Sequence, residues 1–350
     1  MVDEGMPPSD LARAAAHRVV DLVGRVPRPG ARPVNDRGVA LDVHTSVLVA
    51  ALQRGARPSL DELGPVRARP EFGHQAWLAT VPSEPLHRIE DRTIEGPDRP
   101  IPIRVYVPRG GPDPLPAIVY FHGGGFVVGD LDSHDASGRH LCRHAGATVI
   151  SVDYRLAPED PFPAAVDDTC AAFRWVVANA AALHLDPARI AVGGDSAGGN
   201  LSAVVAQQMR AEGHPLPAWQ LLIYPSTDMT GSCESRRTFA EGFFLEEHTI
   251  DWFQACYLTS ADQATDPRAS PLVTRDLEGL PPAHIVVAGF DPLRDEGEAY
   301  ARALMAAGVP TTLRCYGSLV HGFYGMGGFV EAARWAMDDI ARAARRALWP

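Results

Sequence analysis

Three consecutive segments constrain this chain more than any others: the apolar run Ile190 to Val192, the pentapeptide Gly194-Asp-Ser196-Ala-Gly198, and the helix-forming stretch Leu201 to Met209. A strand that feeds a helix through so few residues must turn sharply. The serine at the apex is held in a strained backbone conformation with its hydroxyl lifted clear of the sheet. Positions 194 and 198 are glycine because strand and helix nearly touch there. Ser196 is thus the candidate nucleophile. A five-residue pattern in a glycine-rich chain is weak alone, so its weight depends on what surrounds it.

The surroundings read as alternating strands and helices. His87 to Ile94 and Ile101 to Val107 alternate polar and apolar residues, as half-buried antiparallel strands do. After Pro116 the runs become continuously apolar: Ala117 to Phe121, Thr148 to Val152, Ile190 to Val192, Leu221 to Tyr224 and Ile285 to Ala288, with a further strand near Leu313 to Tyr316. Continuous runs mark strands buried on both faces of a parallel sheet. Helical stretches at Ala164 to His184, Glu298 to Ala307 and Phe329 to Ala344 separate or follow them, which predicts a doubly wound α/β sheet. Three helices are expected ahead of the first strand: Ser9 to Val26, then, beyond a Pro/Arg linker, Thr45 to Gln53 and Ser59 to Arg69. Between Tyr224 and His284 the rhythm breaks for an aromatic-rich insertion with helical material at Glu246 to Leu258.

Composition removes several function classes. The net charge of −11 argues against nucleic acid as a partner. All 32 basic residues are arginine, which excludes a Schiff-base lysine, a Walker-type lysine and a Ser-Lys dyad. Five scattered cysteines (142, 170, 233, 256, 315) form no CxxC pair, so neither a disulfide framework nor a cysteine zinc site is expected, and no cofactor or metal is called for. No apolar span long enough for a membrane and no secretory leader is read, so a cytoplasmic protein is expected.

A serine nucleophile needs a base, an orienting carboxylate and donors for an oxyanion. Asp291 directly follows one buried strand and His321 follows the last, which places both at the strand edge that presents Ser196. His284 begins a strand and faces the opposite edge, while His248 falls in the insertion as a surface residue. Asp295 is the alternative acid, with helix capping as its simpler role. In Phe121-His-Gly-Gly-Gly-Phe126, consecutive glycines let backbone N–H groups approach a bound oxyanion. Gly123 and Gly124, joined by the amide of Ala197, are the expected donors. His122 is expected to fix this loop by hydrogen bonding.

Together, His122 to Gly125, Asp153 to Glu159, Gly194 to Gly198, Asp291 to Glu296 and His321-Gly-Phe323 resemble the hormone-sensitive lipase family of α/β-hydrolase esterases, in the subgroup carrying GDSAG. The resemblance runs from about Leu41 to the C-terminus. It implies an α/β-hydrolase fold with a mostly parallel eight-stranded sheet, flanking helices and a helical cap, and carboxylester hydrolysis without a cofactor. It also implies that Asp195 supports the turn and is not the triad acid. The implied organisation is an N-terminal extension (1–40), a first cap segment (41–85), the first part of the catalytic domain (86–225), a cap insertion (226–270) and the remainder of the catalytic domain (271–350).

Phe126, Trp252 and Phe253, with Phe243 or Phe244, are candidates for the wall of the acyl pocket. No broad apolar mouth is signalled, so a small-molecule ester with a short-to-medium acyl chain is expected. The triad does not separate an esterase from an amidase, deacetylase, acyltransferase or lipase. A non-catalytic ligand receptor would be expected to have lost a triad member. An edge strand near Leu313 to Tyr316 offers a route to a homo-oligomer.

Overall fold

The computed structural model describes residues 32–54, 58–81, 85–111 and 113–349. The expected Ser9 to Val26 helix lies outside the described residues. One eight-stranded sheet forms the centre: β1 (Arg88–Ile94), β2 (Ile101–Val107), β3 (Leu115–Phe121), β4 (Thr148–Val152), β5 (Leu185–Asp195), β6 (Gln220–Ile223), β7 (Ala283–Phe290) and β8 (Thr311–Val320), in spatial order β1-β2-β4-β3-β5-β6-β7-β8. β1 and β2 pair antiparallel, β2 meets β4 antiparallel, and every later neighbour is parallel. The change in burial texture near Pro116 therefore marks the change from antiparallel to parallel. β3 is buried from its second residue onward, whereas β1 alternates toward solvent.

α1 (Val43–Arg54) and α2 (Leu60–Ala79) precede the sheet; α3 (Asp135–Ala145), α4 (Ala164–Ala178), α5 (Ala197–Glu212), α6 (Glu234–Thr238), α7 (Glu247–Tyr257), α8 (Arg294–Ala306) and α9 (Glu331–Leu348) follow. Among the elements that depart from the expected bounds, two helices do so for evident local reasons. α2 continues past Pro70 to Ala79. Its chain breaks at Gly64 (φ 67°), so Pro65 stands at the start of a fresh helix, where a missing N–H costs nothing. α4 ends at Ala178, six residues early, because Asn179 leaves the helix and Leu185 N–H turns back to Ala180 O at 2.8 Å.

Helices cover both faces of the sheet. One core layer joins α3 and α9 to the sheet through Tyr106, Leu141, Val149, Ala333, Met337 and Ile340. The opposite layer joins α4 and α5 through Val119, Phe173, Val176, Leu201 and Val205. α7, from the insertion, lies against α2: His248 Nδ1 is 3.2 Å from Asp61 Oδ1. No helix among the described residues is long and apolar enough to cross a membrane.

Candidate active site

The five contiguous parallel strands β3, β5, β6, β7 and β8 end at residues 121, 195, 223, 290 and 320. The residue after each of them is His122, Ser196, Tyr224, Asp291 and His321, so one sheet edge gathers the groups of the site.

Ser196 joins β5 to α5 at φ 55°, ψ −116°, a conformation that few non-glycine residues adopt. Its own N–H donates to Ile223 O at 2.8 Å, which ties the turn to β6. A Cβ at Gly194 or at Gly198 would run into the backbone carbonyl of Phe121, so the close approach of strand and helix depends on both glycines.

His321 Nε2 is 2.9 Å from Ser196 Oγ, and Nδ1 is 2.9 Å from Asp291 Oδ2. With Nδ1–H donating to the carboxylate, Nε2 is left to accept the serine proton. Asp291 is fully buried, and its other oxygen accepts Leu293 N–H at 2.7 Å, which locks its orientation. Tyr224 packs its ring against His321 with centroids 4.6 Å apart. Asp295 points elsewhere, accepting from Ser235 N–H at 2.9 Å and from Arg294 Nε at 2.9 Å. His284 sits at the far edge, 2.6 Å from Thr312 Oγ1. His248 is an exposed residue that also lines the mouth of the cleft.

The glycine loop corrects one expectation. Gly123 N–H donates to Asp195 Oδ1 at 3.1 Å and is therefore not available to a substrate oxygen. The amides of Gly124, Gly125 and Ala197 have no acceptor among the described residues, and all three residues line the cleft around Ser196. The sequence could not separate the three glycines, because the offset depends on how the loop folds over Asp195. Gly124 and Gly125 take φ of 121° and 59°. A Cβ at Gly124 would strike Val128 O, and one at Gly125 would enter the Phe253 ring.

Asp195 anchors this loop. Besides Gly123 it accepts Tyr120 O–H at 2.7 Å and faces His134 Nε2 at 3.8 Å. Burial pushes the Asp195 carboxyl up, but His134 and the hydroxyl of Tyr120 outweigh that and hold it below the ordinary carboxylate value. His122 donates from Nδ1 to Gly123 O at 2.8 Å. Burial, reinforced by His134, brings His122 down to about 4, so it is neutral and unsuited to act as an imidazolium.

Two cavities meet at Ser196. The larger, about 760 Å³, opens between Leu60, Phe72, Gly124, Tyr224, Phe244 and His321. The smaller, about 40 Å³, lies between Ala197, Phe126, Met229, Ile250, Tyr257 and Leu293. Phe253 and Leu245 line both. Phe126 stacks on Tyr257 with centroids 3.9 Å apart. Trp252, expected in the wall, lines neither cavity: it stacks against Phe253 at 5.0 Å and packs into the core layer behind it. Phe243 is likewise turned into the core, against Phe290.

Tyr224, Met229, Leu245, Ile250 and Tyr257 escape sequence reasoning, since an aromatic or aliphatic residue in an insertion reads equally as core. Glu296 escapes it too. This buried carboxyl accepts the N–H groups of Thr227 and Asp228 at 2.6 and 3.2 Å, bracing the segment that leaves β6 beside Ser196.

Comparison with known proteins bears on the fold and the class of activity. A family model described as alpha/beta hydrolase fold matches residues 118–325. Carboxylic ester hydrolase LipN of Mycobacterium tuberculosis is 52% identical over 256 residues, covering 71% of this chain and 68% of that protein. Ethyl acetate hydrolase of Pseudomonas putida is 38% identical over 285 residues, covering 80% of this chain and 90% of that protein. Among solved structures, the ester hydrolase EH1AB1 from the Lake Arreo metagenome, complexed with a bipyridine phosphonate derivative, superposes with a TM-score of 0.83 at 43% identity, covering 86% of this chain and 96% of that one.

Proposed function

This chain belongs to the hormone-sensitive lipase family of α/β hydrolases and is a carboxylic-ester hydrolase; from that premise we propose that Ser196, His321 and Asp291 hydrolyse short-acyl esters through an acyl-enzyme. The observation that carries the reading is the 2.9 Å relay from Ser196 Oγ through His321 to Asp291, beside three amides with no acceptor among the described residues.

In the first half-reaction His321 Nε2 takes the proton of Ser196 as Oγ attacks the ester carbonyl. Asp291 holds the imidazole in its working tautomer and stabilises the imidazolium. The carbonyl oxygen, now an oxyanion, accepts hydrogen bonds from Gly124, Gly125 and Ala197, whose positions are fixed before the substrate arrives. His321 returns the proton to the departing alkoxide, and the alcohol leaves. In the second half-reaction His321 deprotonates a water that attacks the acyl-serine, and the acid is released with Ser196 restored.

The two cavities divide the substrate. About 40 Å³ beside Ala197 and Phe126 holds only a few non-hydrogen atoms. The short acyl group enters there, and the alcohol portion lies in the larger cleft, under the cap formed by residues 41–85 and 226–270. The scattered thiols, with no disulfide among the described residues, suit a reducing cytoplasm. β8 is an edge strand, so pairing of two copies along it is readable as a dimer in sedimentation.

The test is hydrolysis of a nitrophenyl ester series from acetyl to palmitoyl by the wild type and by Ser196→Ala. Activity peaking at acetyl to butyryl and lost in the variant supports the reading. Cleavage of amides in preference to every ester, or undiminished activity in Ser196→Ala, overturns it.

A further inference from the structure

On the sheet face opposite α4 and α5, α3 and α9 bring together three side chains that the hydrolytic site does not use. His140 and His144 lie one turn apart on α3, so their imidazoles share a face, with ring centroids 4.3 Å apart. Asp338 of α9 meets them there, its Oδ1 3.2 Å from His140 Nε2. One donor atom from each residue can be chosen so that all three lie within 4.8 Å of one another. We propose that His140, His144 and Asp338 form a binding site for a divalent first-row transition metal such as zinc(II), which staples α3 to α9.

The donor chemistry points to that class of ion. Two neutral imidazoles and one carboxylate suit zinc, nickel or cobalt, whereas calcium and magnesium seek oxygen ligands throughout. A tetrahedral zinc ion with bonds of about 2.0–2.1 Å holds its ligand atoms about 3.4 Å apart. His140 and Asp338 already stand near that spacing, at 3.2 Å, and a donor atom of the exposed His144 completes a set whose members lie within 4.8 Å of one another. The fourth position is left to water. His140 is buried and fixes one ligand against the core, while the exposed His144 and half-exposed Asp338 provide the way in.

The neighbouring aspartate makes the selection specific. Asp339 is engaged elsewhere, accepting Tyr316 O–H at 3.0 Å, which leaves Asp338 as the member of the aspartate pair that meets His140. The residue just past α9 also reaches α3: Trp349 Nε1–H donates to Ala145 O at 3.1 Å, one residue past His144. A metal at this point would reinforce the docking of the C-terminal helix. A search for cysteine pairs passes over such a site, because its ligands come from two helices nearly 200 residues apart in sequence (140 and 338).

Metal-stripped full-length protein is titrated with zinc chloride in a buffer without chelators, with calorimetry and thermal unfolding in parallel. The expected result is a one-to-one binding event and a Tm rise of about 2–5 °C at saturating zinc. His144→Ala and Asp338→Asn should each lose affinity by about tenfold or more, and with it the Tm rise. Both substitutions lie toward the surface, so circular dichroism and ester hydrolysis of the metal-free variants should match the wild type. Absence of a zinc-dependent Tm rise in the wild type overturns the proposal. So does an affinity unchanged in both variants, which would place the ion elsewhere, for example at His321.

Discussion

The amide of Gly123 donates to the carboxylate of Asp195 at 3.1 Å, and this bond ties the glycine loop to the serine turn. The residue before the nucleophile thereby fixes where the following amides of Gly124 and Gly125 point. The Asp195 side chain also receives Tyr120 O–H at 2.7 Å, so the anchor reaches into β3.

Replacing Asp195 by alanine should leave the buried Gly123 amide without an acceptor, at a cost of about 1–3 kcal/mol in unfolding free energy. It should also lower kcat more than it raises KM, because the oxyanion donors lose their fixed position. Asp195→Asn keeps an acceptor oxygen and should fall between alanine and wild type. Urea unfolding with steady-state kinetics checks this; an alanine variant as stable as wild type would remove Asp195 as the anchor.

The choice between Asp291 and Asp295, in the first turn of α8, is testable directly. Asp291→Asn should lower kcat by about 10⁴, through loss of the orienting carboxylate and of the correct imidazole tautomer. Ser196→Ala and His321→Ala should each cost about 10⁴–10⁶. Asp295 contacts Ser235, Arg294 and Arg37, none of which touches His321, so the effect of Asp295→Asn should appear in thermal stability and not in kcat. Equal losses of kcat at both positions would contradict the assignment.

Phe253 stands between the two cavities and lines both. Truncation to alanine should merge them and move the preferred acyl chain toward hexanoyl or octanoyl, while acetyl ester turnover falls through looser positioning. Trp252→Ala, behind that wall, should cost stability with little change in chain-length preference. The nitrophenyl series reports both, and an unchanged profile in Phe253→Ala would mean that the small cavity does not hold the acyl group.

Glu296 gives a pH signature to stability. Burial pushes its carboxyl up to about 8 from an ordinary 4.5, against the opposing influence of the Thr227 and Asp228 amides. Between pH 4.5 and 8 the folded chain retains a proton that the unfolded chain has released. This residue's contribution to stability therefore falls as pH rises through that window. Glu296→Gln keeps an acceptor for both amides and carries no charge, so its Tm should decline less than that of the wild type from pH 5 to 8. Parallel Tm curves for the two proteins would count against a protonated Glu296.

The strand runs were readable from residues 117, 148, 221 and 285 because a strand buried on both faces has to be apolar throughout. β8 was visible only as Leu313 to Tyr316, although it runs from Thr311 to Val320. Its burial alternates along the edge of the sheet, and its register against β7 shifts between Ala288 and Phe290, which blurs any simple period. The Gly123 assignment failed for a similar reason. Three identical residues in a row carry no mark of which amide a carboxylate 72 positions later will take.

The sequence by itself determined the α/β layering and the tight turn at Ser196, and it put Asp291 and His321 forward as candidates at the same sheet edge. Each follows from a local requirement: unbroken hydrophobicity for a buried strand, glycine where backbones touch, a polar side chain able to accept a proton or a hydrogen bond just past a strand end. Only the tertiary structure decided which glycine amides remain free, that Trp252 backs the pocket instead of lining it, and that His140, His144 and Asp338 meet. Those outcomes depend on how separate elements pack in space, and packing between residues far apart in sequence leaves no periodic trace in the chain.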